Sequence, residues 1–254
     1  MPSRRVLVTG SSDGIGARIA DLLEGRGLVV VRHARDEHRA RVTRARSGSR
    51  REVVIGDLAS LASTRSMVAA LEPCDVVVHN AGWSSRDERR PVTEDGLEQT
   101  FQVNALAPYL LTASLPTPRR LVWVSSDSIT RGRIDLGDLQ HEAAWTSDAA
   151  YADSKLAMTA LAFGIARRWP QVISNAVHPG WVRTKMSGDA APLGLDEGAD
   201  TAVWLAASDD AAATVSGAFF HERRVVRLNE QAYDDDVQDA LIERCAELTG
   251  VELA

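Results

Sequence analysis

Tyr151 and Lys155 close the run Tyr151-Ala152-Asp153-Ser154-Lys155. On a helix, positions i and i+4 share a face, so this spacing sets a phenol beside an ammonium. A free phenol ionises near pH 10, and a neighbouring cation favours the phenolate and lowers that value. Such a pair can hand a proton to an alkoxide or take one from an alcohol. A Tyr–Lys pair is also common on ordinary surface helices, so its company decides. Ser125-Ser126 ends an apolar run upstream, where a hydroxyl can hold a reacting oxygen beside the phenol. Asn80-Ala81-Gly82 and Pro179-Gly180-Trp181-Val182-Arg183-Thr184 end two further apolar runs. If those runs are parallel strands, their C-terminal ends collect at one edge of an open sheet, the edge where ligands bind.

A second cluster lies near the N-terminus. Thr9-Gly10-Ser11-Ser12-Asp13-Gly14-Ile15-Gly16 joins a strand-like run to a helical one, with glycines in a G-x-x-x-G-x-G spacing. Glycine allows a sharp turn and close backbone approach to a ligand. The following helix N-terminus offers free N–H groups and a positive dipole end to a pyrophosphate. Alone, such a loop is equally a tight strand–helix turn. At the tip of the second strand stands Arg32-His33-Ala34-Arg35-Asp36. An acid there binds a ribose 2′-hydroxyl in NAD sites, whereas an arginine suits the 2′-phosphate of NADP. Arg35 therefore points to NADP(H). Asp36 follows Gly16 by 20 residues and keeps NAD(H) open, although it is expected to begin the next turn.

These groups need a frame that brings distant loops to one edge. Apolar and β-branched runs predict strands at 6–9, 28–31, 53–55, 76–79, 121–124, 172–177 and 218–220. Helical spacing predicts helices at 15–24, 61–71, 97–115, 149–169, 199–207 and 237–248. Runs such as Val29-Val30-Val31 and Val76-Val77-Val78 are apolar throughout, as in strands buried on both faces. Strand–helix alternation implies an α/β fold: a Rossmann-type doubly wound parallel sheet with helices on both faces. No linker divides the chain, so residues 1–254 are expected to form one dinucleotide-binding and catalytic domain.

Composition narrows the classes. At 254 residues, 44% apolar and 25% charged, the chain has material for a sizeable core. A net charge of −6 argues against general nucleic-acid binding. The stretch with Arg39, Arg41, Arg44, Arg46, Arg50 and Arg51 lacks interleaved aromatics and is expected to be a solvated helix and loop. Cys74 and Cys245 build neither a disulfide framework nor metal-ligand spacing. Without a signal core or a run of about 20 apolar residues, a cytoplasmic protein is expected. Trp83, Trp145 and Trp181 fall in loops at the ligand edge and are candidates for an apolar pocket. Residues 186–197, rich in Gly, Ala and Pro, are a candidate lid. Trp123 and Trp204 are expected in the core, and His178 is expected to be structural.

Taken together and in order, these motifs resemble the short-chain dehydrogenase/reductase family over nearly the whole chain. The resemblance implies that Gly10, Gly14 and Gly16 form the dinucleotide loop, with Ser12 and Ile15 adding contacts. It implies that Asp57 and Leu58 flank the adenine and that Asn80-Ala81-Gly82 is the family's Asn-Ala-Gly turn. It assigns Asn104, Ser126, Tyr151 and Lys155 to the catalytic tetrad, with Lys155 also on the nicotinamide ribose. Pro179, Gly180, Val182 and Thr184 would meet the nicotinamide half. His79 replaces an asparagine often found before the Asn-Ala-Gly turn. The 25 residues from Ser126 to Tyr151, the position of Arg35, and the Ser216-Gly217 segment with the closing helix are similar to the retinol-dehydrogenase-like and WW-domain-oxidoreductase-like branch. The implied activity is NADP(H)-dependent, metal-free interconversion of a small, apolar carbonyl and its alcohol, in a chain that forms homo-oligomers in many relatives. An NAD(H)-dependent alcohol dehydrogenase and a non-catalytic NADP(H)-binding redox sensor are the alternatives.

Overall fold

The computed structural model describes residues 4–47 and 52–253; Arg50 and Arg51 of the arginine-rich stretch lie outside them. The strands are β1 (Arg5–Val8), β2 (Val29–Ala34), β3 (Glu52–Ile55), β4 (Val76–His79), β5 (Arg120–Val124), β6 (Ile173–Val177), β7 (Phe219–His221) and β8 (Arg224–Val226). The α-helices are α1 (Gly14–Gly25), α2 (Glu37–Ser47), α3 (Leu61–Ala69), α4 (Gln99–Phe101), α5 (Ala107–Ser114), α6 (Ser147–Arg168), α7 (Leu195–Ala207) and α8 (Asp235–Thr249). The sheet order is β3-β2-β1-β4-β5-β6-β7-β8. All pairings are parallel except β7 with β8, which run antiparallel.

The alternation of side chains along each strand divides the core into two layers. Leu7, Val31, Val77, Leu121, Trp123 and Phe219 pack with Tyr109 and Leu110 of α5, Leu161 of α6 and Leu241 of α8. Val6, Val8, Val30, Val76, Val78, Val122 and Phe220 pack on the opposite side with Ile19 and Leu23 of α1 and Val203 and Trp204 of α7. This is why the central strands are apolar at every position: both faces are covered. Trp123 and Trp204 both lie in this core, as expected.

Several elements differ from their sequence-based bounds. The second strand was expected to stop at Val31 but continues to Ala34, with Arg32 and His33 both buried in it. Arg32 is carried by an ion pair to Asp21 at 2.5 Å and another to Glu24 at 3.1 Å, long-range compensation that hydrophobic patterning does not register. The expected helix 97–115 is broken: a π-helical turn, Gln102–Leu106, separates α4 from α5. The hairpin partner β8 was missed because its residues, Arg224-Val225-Val226, are mostly exposed. The turn before it holds Glu222 and Arg223 at φ 48° and 59°, with neither glycine nor asparagine to announce it.

Candidate active site

The C-terminal ends of β1, β2, β4 and β5 open into one groove of about 720 Å³. Its base is the glycine loop between β1 and α1. Gly10 has φ +63° and abuts Ala81: a Cβ there would lie 2.8 Å from the Ala81 Cα. Gly16 is tighter still, since its Cβ would fall 2.2 Å from Asn80 Nδ2 and 2.5 Å from the Gly10 carbonyl oxygen. Asn80 accounts for this closeness: its amide donates to the Thr9 carbonyl at 2.9 Å, and its backbone N–H donates to Thr9 Oγ1 at 2.9 Å. Gly10, Ser12, Gly14, Ile15 and Gly16 all face the groove, as do Asn80, Ala81 and Gly82. Gly16→Ala is expected to lose dinucleotide binding and to destabilise the fold by about 1–3 kcal/mol, the usual cost of overpacking. Fluorescence titration and urea unfolding check the two effects separately.

His33, from the tip of β2, holds this loop from beneath. Its Nδ1 accepts the Gly10 N–H at 2.8 Å, so its Nε2–H donates to the Gly56 carbonyl at 2.7 Å. The two bonds fix one neutral tautomer, and burial lowers the imidazole pKa further. Arg35 leaves the same strand end and reaches the groove, joined by Arg39 from the first turn of α2. Asp36 does begin the next turn. Its Oδ1 accepts the Arg39 N–H at 2.8 Å and its Oδ2 accepts Arg35 Nε at 3.1 Å. The carboxylate is thus spent on the α2 N-terminus and held below its ordinary range by those bonds, the Arg39 N–H foremost. Asp57 and Leu58, after β3, complete this end of the groove.

The other end carries Tyr151 and Lys155, with Ser126 beside it. Ser126 follows β5 and caps the 3₁₀ turn Asp127–Arg131, its Oγ accepting the Ser128 N–H at 3.1 Å. Tyr151 and Lys155 project from α6 into the groove. Lys155 is 3% exposed and donates to the Val124 carbonyl at 2.8 Å; burial lowers its pKa to about 8. Its Nζ stands 5.9 Å from the centroid of the Tyr151 ring. The sequence suggested a phenol pulled down by this cation. Burial instead pushes the Tyr151 phenol above its ordinary range, with Ser126 and the more distant Arg131 acting against it. Desolvation penalises the phenolate more than these partners relieve it.

Asn104 stands in the π-helical turn, fully buried. Its Oδ1 accepts the Trp83 N–H at 2.7 Å, and its Nδ2 donates to the Trp83 carbonyl at 2.9 Å and to Ser154 Oγ at 2.9 Å. Ser154 in turn donates to the Tyr151 carbonyl at 2.8 Å. The extra residue in the helix turn aims this amide inward, and the amide ties the loop after β4 to the helix bearing Tyr151. Asn104 and Ser126 lie behind or beside the groove wall rather than on it.

Beyond β6, Pro179 and Thr184 line the groove. Gly180 has φ +83° and packs under Leu193, whose Cδ1 would be 2.3 Å from an added Cβ. Val182 turns its side chain onto Gly198 of α7 and is buried there, off the groove wall. Of the three loop tryptophans, Trp83 lines the groove, Trp145 Nε1 donates to Glu98 at 3.2 Å instead, and Trp181 is 55% exposed. His178 stacks on His221 at 4.2 Å. Arg86 and Lys185 also reach the groove and were not singled out from sequence, because single arginines and lysines in polar loops carry no pattern; Arg39, expected only as part of a solvated arginine stretch, reaches it from α2. Among the described residues there is no cluster of metal-ligating side chains and no helix long and apolar enough to cross a membrane.

Comparison with known proteins agrees with this arrangement. Residues 4–192 match the family model for short chain dehydrogenase. An uncharacterized oxidoreductase of Emericella nidulans is 37% identical over 97% of both chains. A candidate daunorubicin C-13 ketoreductase of Streptomyces sp. is 35% identical over 98% of this chain and 94% of its own. Among solved structures, a protein from Mycobacterium paratuberculosis superposes with a TM-score of 0.86 at 29% identity, covering 100% of this chain and 97% of that one. A blue fluorescent protein from a metagenomic library, solved with NADPH, gives 0.68 at 25% identity, covering 85% and 95%. With the glycine loop, the Asn-Ala-Gly turn, Tyr151 and Lys155 opening into one groove at the sheet edge and Ser126 beside it, the chain belongs to the short-chain dehydrogenase family of oxidoreductases.

Proposed function

We propose that this chain is an NADP(H)-dependent oxidoreductase that interconverts an aldehyde or ketone and its alcohol, with Tyr151 as general acid/base. The observation that carries the reading is the placement of the Tyr151 phenol and the Lys155 ammonium side by side on the wall of the groove that holds the glycine loop.

The groove fits a dinucleotide. The backbone around Gly10, Gly14 and Gly16 leaves room at the N-terminus of α1 for a pyrophosphate. Arg35 and Arg39 stand where a 2′-phosphate would need cations, while the neighbouring carboxylate of Asp36 is engaged by Arg39 and Arg35. When bound, the nicotinamide supplies or accepts the hydride. Ser126 holds the substrate oxygen toward the phenol. Tyr151 then donates its proton to that oxygen as negative charge develops, or takes it back in the oxidative direction. A phenol that keeps its proton near neutrality is ready for the donor role. Lys155 places a positive charge behind the ring and orients the nicotinamide ribose. Asn104 acts by positioning, fixing the Trp83 backbone and the α6 turn around Ser154. Trp83 and Met186 give the mouth apolar surface, which suits an apolar carbonyl substrate.

The cofactor half of the proposal is tested by titration with NADPH and NADH, following nicotinamide fluorescence. NADPH is expected to bind more tightly. Arg35→Ala is expected to weaken NADPH about 10- to 100-fold, the worth of one charge-assisted phosphate contact, with NADH unchanged. Tighter binding of NADH, or equal loss for both dinucleotides, would remove Arg35 from the 2′-phosphate.

A further inference from the structure

The glycine loop carries a negative charge of its own. Asp13 is extended, φ −158° and ψ 170°, immediately before α1, and its Oδ1 accepts the Gly14 N–H at 2.9 Å. Its carboxylate therefore occupies the anion-favouring end of a twelve-residue helix. A diphosphate laid along the same loop would meet this carboxylate as a like charge. Asp13 is not bare, however: its Oδ2 is ion-paired with the ammonium of Lys185, and that bond is the main reason its carboxyl is held below the ordinary range.

Lys185 belongs to the segment that follows β6 and crosses the groove. The main chain there is anchored on several sides. The Lys185 carbonyl accepts Arg86 Nη2 at 2.7 Å. Arg183 donates to the Ala191 and Pro192 carbonyls at 3.0 and 2.8 Å, and Arg18 of α1 pairs with Asp196. By contrast, the Lys185 side chain is 81% exposed. Asp13, Gly14 and Lys185 all line the same groove. The structure thus presents a fixed backbone bearing a long, solvated cation, moored to the one carboxylate that a cofactor phosphate would have to approach.

We propose that Lys185 is a pyrophosphate ligand held in reserve on Asp13, its ammonium moving from the carboxylate onto the dinucleotide while its main chain stays in place. The inference rests on the dinucleotide reading above and adds to it a cation that the glycine-loop motif does not contain. Asp13 keeps Lys185 at the loop before the ligand arrives. The pair also offsets the charge that would otherwise oppose the phosphates, and because so exposed a pair is only weakly held, the ammonium is free to move.

The test is a binding cycle on the whole protein, with Kd for NADPH and NADH read by fluorescence for wild type, Lys185→Met, Asp13→Asn and the double variant. Lys185→Met is expected to weaken both dinucleotides about tenfold, less at 1 M salt, where exposed charges are screened. Asp13→Asn is expected to tighten both about threefold, because the ammonium is freed and the opposing carboxylate is gone. Lys185→Arg keeps the charge and is expected to stay within about threefold of wild type. Shifts in the same direction for Lys185→Met and Asp13→Asn would overturn the proposal, because the pair would then be only a strut between two loops. An unchanged Kd in Lys185→Met would overturn it too. A loss confined to NADPH would move Lys185 to the 2′-phosphate and overturn the pyrophosphate assignment. Failure of the wild type to bind either dinucleotide would instead strike the cofactor reading. Thermal melts of both single variants, which alter surface-accessible side chains, separate misfolding from lost binding.

Discussion

Tyr151→Phe is expected to lower kcat for carbonyl reduction about 10²- to 10⁴-fold, the range supplied by a positioned general acid, while the Kd for NADPH stays within about twofold. The substitution removes one hydroxyl and keeps the ring, so the packing of α6 is retained. It also removes the phenolic proton donor on the groove wall beside Lys155. Lys155 does not replace it: the ammonium points at the Val124 carbonyl, 2.8 Å away, and its pKa of about 8 belongs to a cation that orients and stabilises. The measurement is steady-state reduction of a panel of apolar aldehydes and ketones alongside fluorescence titration. Wild-type turnover in Tyr151→Phe would end the mechanism proposed here. Loss of NADPH binding in the variant would instead mean that the phenol supports the cofactor site.

The second large effect concerns stability. His79 is 1% exposed, lies tilted against the Trp123 ring at 4.1 Å, and bonds Thr112 Oγ1 through Nε2 at 2.8 Å, while its Nδ1 has no hydrogen-bond partner among the described residues. Burial lowers its pKa to about 3, against about 6.5 in an unfolded chain. Between those two values the unfolded chain binds a proton that the folded one refuses, so stability is full above pH 6.5 and falls as the pH drops toward 3. The slope approaches 1.4 kcal/mol per pH unit, or about 2 kcal/mol lost between pH 7 and pH 5 from this residue alone. His33, buried beneath the glycine loop with its pKa also lowered, acts in the same direction. Urea unfolding at pH 7 and pH 5 reads the loss. His79→Asn, which cannot titrate, is expected to shed about 2 kcal/mol of the pH dependence. A variant as acid-sensitive as wild type would show that the imidazole is not the buried base.

Much of this protein was legible in its sequence because the relevant physics is local. The glycine spacing before α1, the four-residue step from Tyr151 to Lys155, and the uninterrupted valine runs of β2 and β4 each determine a backbone shape or a shared face within a few residues. From these followed the Rossmann-type sheet and the groove-lining positions at Gly10–Gly16, Asn80–Gly82, Tyr151 and Lys155. Even the role of Asp36 as the start of a helix could be read from its neighbours.

What the tertiary structure decided depends on contacts between distant segments. The burial of Arg32 and His33 is set by α1 and Gly56, and no run of apolar residues announces it. The π-helical turn at Asn104 is held by Trp83 and Ser154, 21 and 50 residues away, which is why the segment read as one continuous helix. Val182 turned toward Gly198 because α7 packs there, and Lys185 found Asp13 across 172 residues. The direction of the Tyr151 shift is the clearest case. Residue types and spacing predicted a cation lowering the phenol, and that local rule is sound. Desolvation, however, is a property of everything packed around the ring, and in this fold it pushes the phenol's pKa up.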